Sequence, residues 1–212
     1  MCPPPDRYPT PERSKPYHHG DLKAALVDAA VQLIAERGVQ GFSMAELSRR
    51  LGVTAGAPYR HFAHRDELLA AVAVRALRLF GQALGAQASA ADPPARRLAA
   101  MASCYVRFAA QERALFGVVF GVGLDKKDRY PQLREAYEDV EGRLKSCVAA
   151  LCPGDPDAAG QLTDAIEATA HGFAALLIDQ PGSPDPAAVD RAAAQAASAT
   201  LALIRGREAL RQ

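Results

Sequence analysis

Several residue types are scarce in this sequence of 212 residues: tryptophan is absent, aromatic residues make up 6%, and only four cysteines occur. The cysteines are Cys2, Cys104, Cys147 and Cys152, and no two of them have the C-x-x-C spacing of a zinc or redox site. This pattern argues against a disulfide-rich secreted scaffold and suits a reducing compartment. We interpret all of them except Cys2 as small buried apolar residues.

Long apolar runs are also missing, since no stretch reaches the ~18 uninterrupted apolar residues that a membrane-spanning helix needs. The first residues, MCPPPDRYPTPERSKP, contain no apolar signal-peptide region. We therefore expect a protein that has no membrane partner and stays in the cytoplasm. Neither sign of charge is in excess, because 25 Lys and Arg oppose 24 Asp and Glu. With 49% hydrophobic residues, the chain can bury an ordinary globular core.

The sequence shows none of the motifs that mark the common classes of enzyme. It contains no nucleophile elbow, no metal-ligand pair and no paired carboxylates between glycines. The glycine-rich stretch at residues 116–123 lacks the Gly-Lys-Ser/Thr ending of a phosphate-binding loop. We predict that the protein is not an enzyme and that it uses no cofactor and no metal.

What the sequence does contain is a segment at residues 42–62, FSMAELSRRLGVTAGAPYRHF, with signals for two short helices joined by a tight break. Ser43 and Glu46 form the S-x-x-E capping box that starts a helix. Gly52 supplies the left-handed residue that ends it. Two short helices in this arrangement are typical of a helix-turn-helix.

The second helix of this motif is predicted from Ala55 to about His61, with Thr54 as its N-cap. Pro58 lacks an amide hydrogen and crowds the Thr54 carbonyl, so we expect a tight or partly irregular first turn. We expect an inward face of Ala57, Pro58 and Phe62 and an outward face of Gly56, Tyr59, Arg60 and His61. Small residues beside hydrogen-bond donors are typical of a recognition helix in the DNA major groove.

The stretch from Tyr17 to Leu69 resembles the N-terminal DNA-binding domain of TetR-family transcriptional regulators. It contains the pattern Ala-x-x-Leu-x-x-x-x-Gly at residues 30–38 and the pattern Gly-Val-(Ser/Thr)-x-Gly-x-x-Tyr-x-x-Phe at residues 52–62. Two positions depart from the family, which usually has leucine at Pro58 and often has Asn, Ser or Asp at His64. In the second half, Ala170-His171-Gly172 is similar to the Trp-His-Gly segment of one C-terminal subclass but lacks its tryptophan.

The resemblance implies an all-α fold with a three-helix DNA-binding domain at residues 17–64 and a helical ligand-binding and dimerisation domain at residues 65–212. Residues 1–16 hold six of the fifteen prolines and are expected to form a disordered tail. This tail could be an arm that reaches DNA or simply a solvated segment. Helical periodicity predicts helices at about residues 20–37, 65–88, 95–111, 130–151, 157–179 and 186–207.

The last predicted helix is rich in alanine on several faces. It therefore permits close helix approach and carries more apolar surface than one neighbour can cover. We expect a homodimer in which the last two helices of each subunit form a four-helix bundle. The resembled family dimerises in this way.

The chemistry of the motif's side chains divides the expected DNA contacts into groups. Contacts to phosphates are expected from Ser43, Thr54, His61 and Arg65. Arg60 can pair with a guanine or contact a phosphate, and Tyr59 can contact the backbone or a thymine methyl. By resemblance, Ala45, Ala55 and Gly56 lie at DNA-facing positions. We expect Arg49 and Arg50 to be solvated.

An apolar cavity between the helices of the second domain is expected to be lined by Met101, Tyr105, Phe108, Phe116, Phe120, Tyr137, His171 and Phe173. Aromatic residues at helical spacing more often fill a core, so each of these residues could be a core residue instead. For His171 the preferred interpretation is a hydrogen-bonded core histidine.

These features predict a sequence-specific DNA-binding transcriptional regulator. We expect a repressor that leaves a palindromic double-stranded DNA operator when a small apolar or amphipathic effector binds. The alternative is a ligand-independent or architectural DNA-binding protein, which a filled C-terminal core would favour.

Overall fold

The computed structural model describes residues 19–87, 89, 91–120, 128–179, 182 and 184–211. All regular structure in these residues is helical, which confirms the all-α fold. The helices are α1 (His19–Arg37), α2 (Met44–Leu51), α3 (Arg65–Gln87), α4 (Pro94–Gln111), α5 (Arg113–Val118), α6 (Pro131–Leu151), α7 (Pro156–Ile178) and α8 (Pro186–Arg205), with 3-10 helices at Pro58–Arg60 and Arg207–Arg211. The expectations for residues 1–16 and 121–123 fall outside the described part of the chain.

Proline fixes where several helices of the second half begin. Helices α4, α6, α7 and α8 each have a proline in the first turn. Amides in the first turn have no partner within the helix, so the amide hydrogen that proline lacks costs no hydrogen bond there. At α7 the Asp155 carboxylate also accepts a hydrogen bond from the Ala158 amide at 3.0 Å. These starts lie within one residue of those predicted, because proline is a strictly local signal.

The first part of the chain packs around a core that α1, α2 and α3 share. Leu26, Leu33, Leu47, Phe62 and Leu68 are almost fully buried in it. Ion pairs reinforce the packing at the surface: Arg50 contacts Glu36 of α1 at 2.6 Å, and Arg75 of α3 contacts Asp28 of α1. The burial of Leu47 and the Arg50–Glu36 pair hold the short α2 in place, which its length alone could not do.

The core of the first part continues across the domain boundary that we predicted between residues 64 and 65. Leu115 and Val118 of α5 and Leu133 and Tyr137 of α6 belong to the same buried cluster as the DNA-binding helices. The second part of the chain adds two further clusters, one between α3, α4, α7 and α8 and one between α4, α6, α7 and α8. The two parts are therefore in direct apolar contact.

Helix α5 was not predicted from the sequence. It has six residues, and its buried residues Leu115, Phe116 and Val118 do not form a single apolar stripe. Because it is buried on two sides, it shows no helical periodicity of hydrophobic residues. The continuation at residues 119–120 adopts π-helical geometry.

Among the described residues, one helix, α3, has the length and mean hydropathy of a membrane span, with a value of 1.4 over its most apolar window. About 61% of that window is buried inside the protein. A helix buried in a protein core passes the same test, so this observation is weak evidence for a span.

Three cysteines lie in the core, as the sequence indicated. Cys104, Cys147 and Cys152 are all buried as free thiols. Burial raises the pKa of the Cys104 thiol to about 11, which Arg107 partly offsets. This thiol is therefore protonated at neutral pH.

Candidate DNA-binding surface and ligand cavity

The first helix of the motif starts and ends as its sequence predicts. Ser43 has an extended backbone, and its hydroxyl accepts a hydrogen bond from the Glu46 amide at 3.2 Å. Gly52 has a φ of 64°, and its amide caps the helix. The Glu46 carboxylate contacts the guanidinium groups of Arg37 and Arg49 at 3.1 and 2.8 Å.

The second helix of the motif is shorter and tighter than predicted. Residues 54–61, the recognition segment, form a turn followed by the 3-10 helix Pro58–Arg60. The Thr54 carbonyl accepts a hydrogen bond from the Ala57 amide at 3.0 Å, and Ala57 occupies the cap position without a side-chain bond. The prediction of Thr54 as a helix N-cap is therefore wrong. Pro58 explains the difference, because it cannot donate the bond that an α-helical first turn requires.

The two faces of the recognition segment match the expected division. Pro58 and Phe62 are buried, and Ala57 is half-buried. Thr54, Ala55, Gly56, Tyr59 and Arg60 are exposed and His61 is half-buried, while Tyr59 keeps 55% of its surface exposed. Ser43 and Ala45 of the neighbouring α2 are exposed as well. These eight candidate DNA contacts thus remain accessible.

Arg65 differs from the other candidates because its guanidinium points into the domain. Its Nε donates a hydrogen bond to the Phe42 carbonyl at 3.2 Å, and its Nη2 donates one to the Val39 carbonyl. The guanidinium carbon lies 5.3 Å from the centre of the Phe42 ring. We therefore replace the expected phosphate contact with a structural role: Arg65 joins the start of α3 to the loop between α1 and α2.

The arginines of α2 are less free than expected. Arg50 forms an ion pair with Glu36, and its side chain is only 32% exposed. Arg49 bonds to Glu46 but keeps 73% of its side chain exposed. Both residues are exposed, as expected, and each also forms an ion pair.

A cavity of about 400 Å³ lies between helices α3 to α7. Seven of the eight residues predicted to line a cavity do so: Met101, Tyr105, Phe108, Phe116, Phe120, Tyr137 and His171. Phe173 is not in the lining and packs against the cluster between α3, α4, α7 and α8. It lies two residues beyond His171, which is about 200° around the helix axis, so it cannot share the cavity-facing side.

Tyr105 is at the centre of the aromatic wall of this cavity. Its ring centre lies 5.6 Å from that of Phe80 and 5.5 Å from those of Phe116 and Phe120. Its hydroxyl is 2.9 Å from His171 Nδ1, so His171 is hydrogen-bonded as expected. His171 is exposed, so the prediction that it is a core residue is wrong. Burial raises the pKa of the Tyr105 phenol well above its usual range, and the Glu167 carboxylate raises it further.

Two carboxylates in the cavity lining were missed by the sequence reasoning. Glu141 lies four residues after Tyr137, and Glu167 lies four residues before His171, so each shares a helix face with an aromatic lining residue. This spacing was the signal that could have identified them. The Tyr137 hydroxyl donates a hydrogen bond to the Val119 carbonyl at 3.0 Å. Burial raises the pKa of Tyr137, and Glu141 raises it further.

The fold and these two sites define a class of protein: a helix-turn-helix regulator whose DNA-binding unit shares its core with a helical body that contains a cavity of ligand size. Comparisons with known proteins give the family. Residues 26–72 match the profile described as "Bacterial regulatory proteins, tetR family", and residues 98–201 match "Tetracyclin repressor-like, C-terminal domain". The chain belongs to the TetR family of transcriptional regulators, which are not enzymes.

Curated relatives include the HTH-type transcriptional regulator BetI. The protein from Brucella canis is 29% identical over 114 residues, which cover 53% of this chain and 58% of that protein. The protein from Rhizobium meliloti is 30% identical over 140 residues, which cover 63% of this chain and 67% of that protein. The match to the Brucella canis protein therefore spans little more than half of its length.

Solved structures share the fold over most of its length. A protein of unknown function from Rhodococcus sp. RHA1 is 31% identical, with a TM-score of 0.71 and coverage of 89% of this chain and 98% of that chain. The multidrug binding protein EbrR, solved with imidazole, is 22% identical, with a TM-score of 0.56 and coverage of 82% and 93%. At that identity the second comparison concerns the fold alone.

Proposed function

We propose that this protein is a repressor that binds a palindromic operator as a homodimer and leaves it when a small apolar or amphipathic effector enters the cavity. The observation that carries the proposal is the recognition segment, which presents Tyr59 and Arg60 outward from a buried base of Pro58 and Phe62. Operator binding would take place in the cytoplasm, beside the chromosome.

In this proposal the exposed residues contact different parts of the DNA. Arg60 reads a base, because its planar fork can pair with the O6 and N7 atoms of guanine. Tyr59 contacts the backbone or a thymine methyl, and Ser43, Thr54 and His61 contact phosphates. Ala45, Ala55 and Gly56 allow close approach; a Cβ atom added at Gly56 would meet no protein atom within 4 Å.

Dimerisation through α7 and α8 is proposed because both helices carry exposed small or apolar residues. On α7, Ala165, Thr169, Gly172 and Leu176 follow each other at helical spacing and are all partly or fully exposed. Leu176 is 74% exposed, and a Cβ atom added at Gly172 would meet nothing within 4 Å. The small side chains of this stripe would allow another helix to pack closely against α7.

Helix α5 is the element that would couple the cavity to the DNA-binding unit. Leu115 and Val118 belong to the core shared with α1 and α3, whereas Phe116 lines the cavity. A ligand that displaces Phe116 would therefore act on the packing of α1. To release DNA, it must bind more tightly to the conformer whose recognition segments no longer match the half-site spacing.

The test of the proposed function is selection of bound DNA from a random-sequence pool, followed by mobility-shift titration of the selected site. Arg60→Ala should relax base preference at one position per half-site, by about tenfold or more. Ser43→Ala should weaken binding to all sequences alike. Arg134→Ala, an exposed arginine of α6, is the control and should change neither. A wild-type protein that retards every DNA sequence equally would remove the proposal.

The cavity also bears on the alternative of a ligand-independent or architectural protein. A filled C-terminal core would favour that alternative, and about 400 Å³ of open space with an aromatic wall does not.

A further inference from the structure

The lysine and arginine side chains of the DNA-binding domain differ in whether a carboxylate neutralises them. The described part of this domain, residues 19–64, contains five such side chains: Lys23, Arg37, Arg49, Arg50 and Arg60. Three of them, Arg37, Arg49 and Arg50, form ion pairs with glutamates of α1 or α2. Lys23 and Arg60 form no ion pair with any residue that the structure describes. Two positive charges of this domain are therefore not offset within the described part of the chain.

Both of these unpaired cations lie at the recognition segment. Arg60 is exposed on the segment itself. Lys23 belongs to the second turn of α1, and its ammonium nitrogen lies 5.5 Å from the centre of the Phe62 ring. Phe62 directly follows the recognition segment and is only 1% exposed, so the core fixes its position. Helix α1 therefore places a positive charge beside the end of the recognition segment.

The Phe62 ring restrains the ammonium group of Lys23 without removing it from solvent. The ring face attracts the cation electrostatically, and Lys23 as a residue is exposed. A side chain that is restrained before DNA binds loses less conformational freedom on binding than one that rotates freely. An ammonium group has three donors and no acceptor, so an accessible lysine without a carboxylate partner is suited to bind phosphate oxygens.

We propose that Lys23 contacts a phosphate of the operator backbone, so that the DNA interface extends from the helix-turn-helix onto α1. The inference rests on the proposed function, since it adds a contact to the same complex with DNA. Phosphate contacts fix the orientation of a protein on the duplex and carry no sequence information directly. Lys23 is therefore a positioning residue for the recognition segment, whereas Arg60 reads a base.

The test is a mobility-shift titration of the selected operator with the full chain at several salt concentrations. Lys23→Met removes the charge and keeps an unbranched apolar side chain beside Phe62. One phosphate contact contributes about 0.9 to the slope of log affinity against log salt, so two subunits should lose about 1.8 of that slope. At constant salt the affinity should fall about tenfold or more for all sequences alike, and the base preference should not change.

Two further variants separate a phosphate contact from other effects of the substitution. Lys23→Arg keeps the positive charge and should keep the salt slope of the wild type. Lys145→Met is the matched control, because it removes the same charge from an α6 lysine whose side chain is 62% exposed, and it should leave the slope unchanged. The melting temperature of Lys23→Met should fall by at most about 4 °C, since an exposed cation above a ring stabilises the fold only weakly.

An unchanged salt slope for Lys23→Met would overturn the inference and leave Lys23 as a cover for the Phe62 ring. An equal fall of the slope for Lys145→Met would also overturn it, because the effect would then come from net charge. A relaxed base preference in Lys23→Met would place the lysine at a base edge and not at a phosphate.

The same titrations separate this inference from the proposed function. Wild-type protein that retards every DNA sequence equally would refute the proposed function alone, because the salt slope of that complex still tests Lys23. Sequence-specific retardation with an unchanged slope in Lys23→Met would refute the Lys23 contact alone. Wild-type protein that binds no DNA would refute both.

Discussion

At the scale of the residue, Arg65 shows how one side chain can fix the position of a loop. Its guanidinium bonds to the carbonyls of Val39 and Phe42 and covers the Phe42 ring. Those two residues lie in the loop that leads from α1 into α2. Together with the apolar core and the Arg50–Glu36 ion pair, this arginine at the start of α3 fixes the position of α2 and of the exposed Ser43.

Replacing Arg65 should therefore lower the stability of the fold and should not remove a direct contact with DNA. Arg65→Ala should lower the free energy of unfolding by about 2 kcal/mol, because two carbonyls lose a charged donor. This corresponds to a fall in the melting temperature of about 4–8 °C, measured by circular dichroism. Arg65→Lys, which keeps the charge and loses the fork, should lie in between. An unchanged melting temperature together with a reduced salt dependence of DNA binding would instead support a phosphate contact.

Thr200 on α8 is a second residue whose replacement should change the stability of the fold. In the described part of the chain, its hydroxyl is the buried side-chain polar atom that has no hydrogen-bond partner, and the residue is 0% exposed. Thr200→Val should stabilise the fold by about 1 kcal/mol, since an unsatisfied buried hydroxyl is removed with little change of shape.

Thr163 provides the control for Thr200 in the same thermal-denaturation measurement. Its hydroxyl donates to the Ala159 carbonyl at 2.8 Å, so Thr163→Val loses a bond that exists. This variant should not be stabilised. A Thr200→Val protein that melts lower than the wild type would show that the Thr200 hydroxyl has a partner in solution.

At the scale of the element, the recognition segment differs from a regular helix for a single local reason. Pro58 has no amide hydrogen, and the Thr54 carbonyl bonds to Ala57 instead of to residue 58. The amides of His61 and Phe62 then both bond to the Pro58 carbonyl, the first with the spacing of a 3-10 helix and the second with that of an α-helix. The outward positions of Tyr59 and Arg60 are set by this turn.

Pro58→Ala should lengthen the helical part of the recognition segment. The new amide at position 58 can bond to the Thr54 carbonyl and convert the turn into α-helix. Carbon chemical shifts of residues 55–61 should move toward helical values, and the amide at position 58 should be protected from hydrogen exchange. Unchanged shifts would show that packing around Phe62, and not the proline, imposes the 3-10 geometry.

At the scale of the whole molecule, the proposed function depends on the distance between two recognition segments, which the proposed dimer would fix. Repressors of this design place them about one DNA turn, roughly 34 Å, apart. The exposed stripe on α7 that ends at Leu176 is the proposed contact with the partner subunit. Changes in this stripe should therefore alter DNA binding without touching the DNA-binding unit.

Leu176→Glu should dissociate the proposed dimer, because it would place an unpaired charge in the proposed apolar interface. We expect the dimer dissociation constant to rise by about 100-fold or more, as measured by sedimentation velocity, with loss of tight operator binding. Leu79→Glu is the control, since Leu79 of α3 is also an exposed large apolar residue, at 38% against 74% for Leu176. Equal oligomeric states for both variants would place the interface elsewhere.

The sequence alone determined the features that depend on residues close together in the chain. Ser43 and Gly52 marked the start and end of α2, prolines marked four later helices, and the patterns around Ala30 and Tyr59 identified the family. Such signals are readable because caps, turns and helix periodicity act over a few residues.

Only the tertiary structure decided what depends on packing between distant segments. It gave Arg65 two backbone carbonyls as partners, placed Phe173 outside the cavity, and brought Glu141 and Glu167 of different helices to one wall. It also showed that α5 belongs to two cores at once. A one-dimensional pattern reports which face of a helix is apolar, but the neighbour of that face is fixed by how the helices pack.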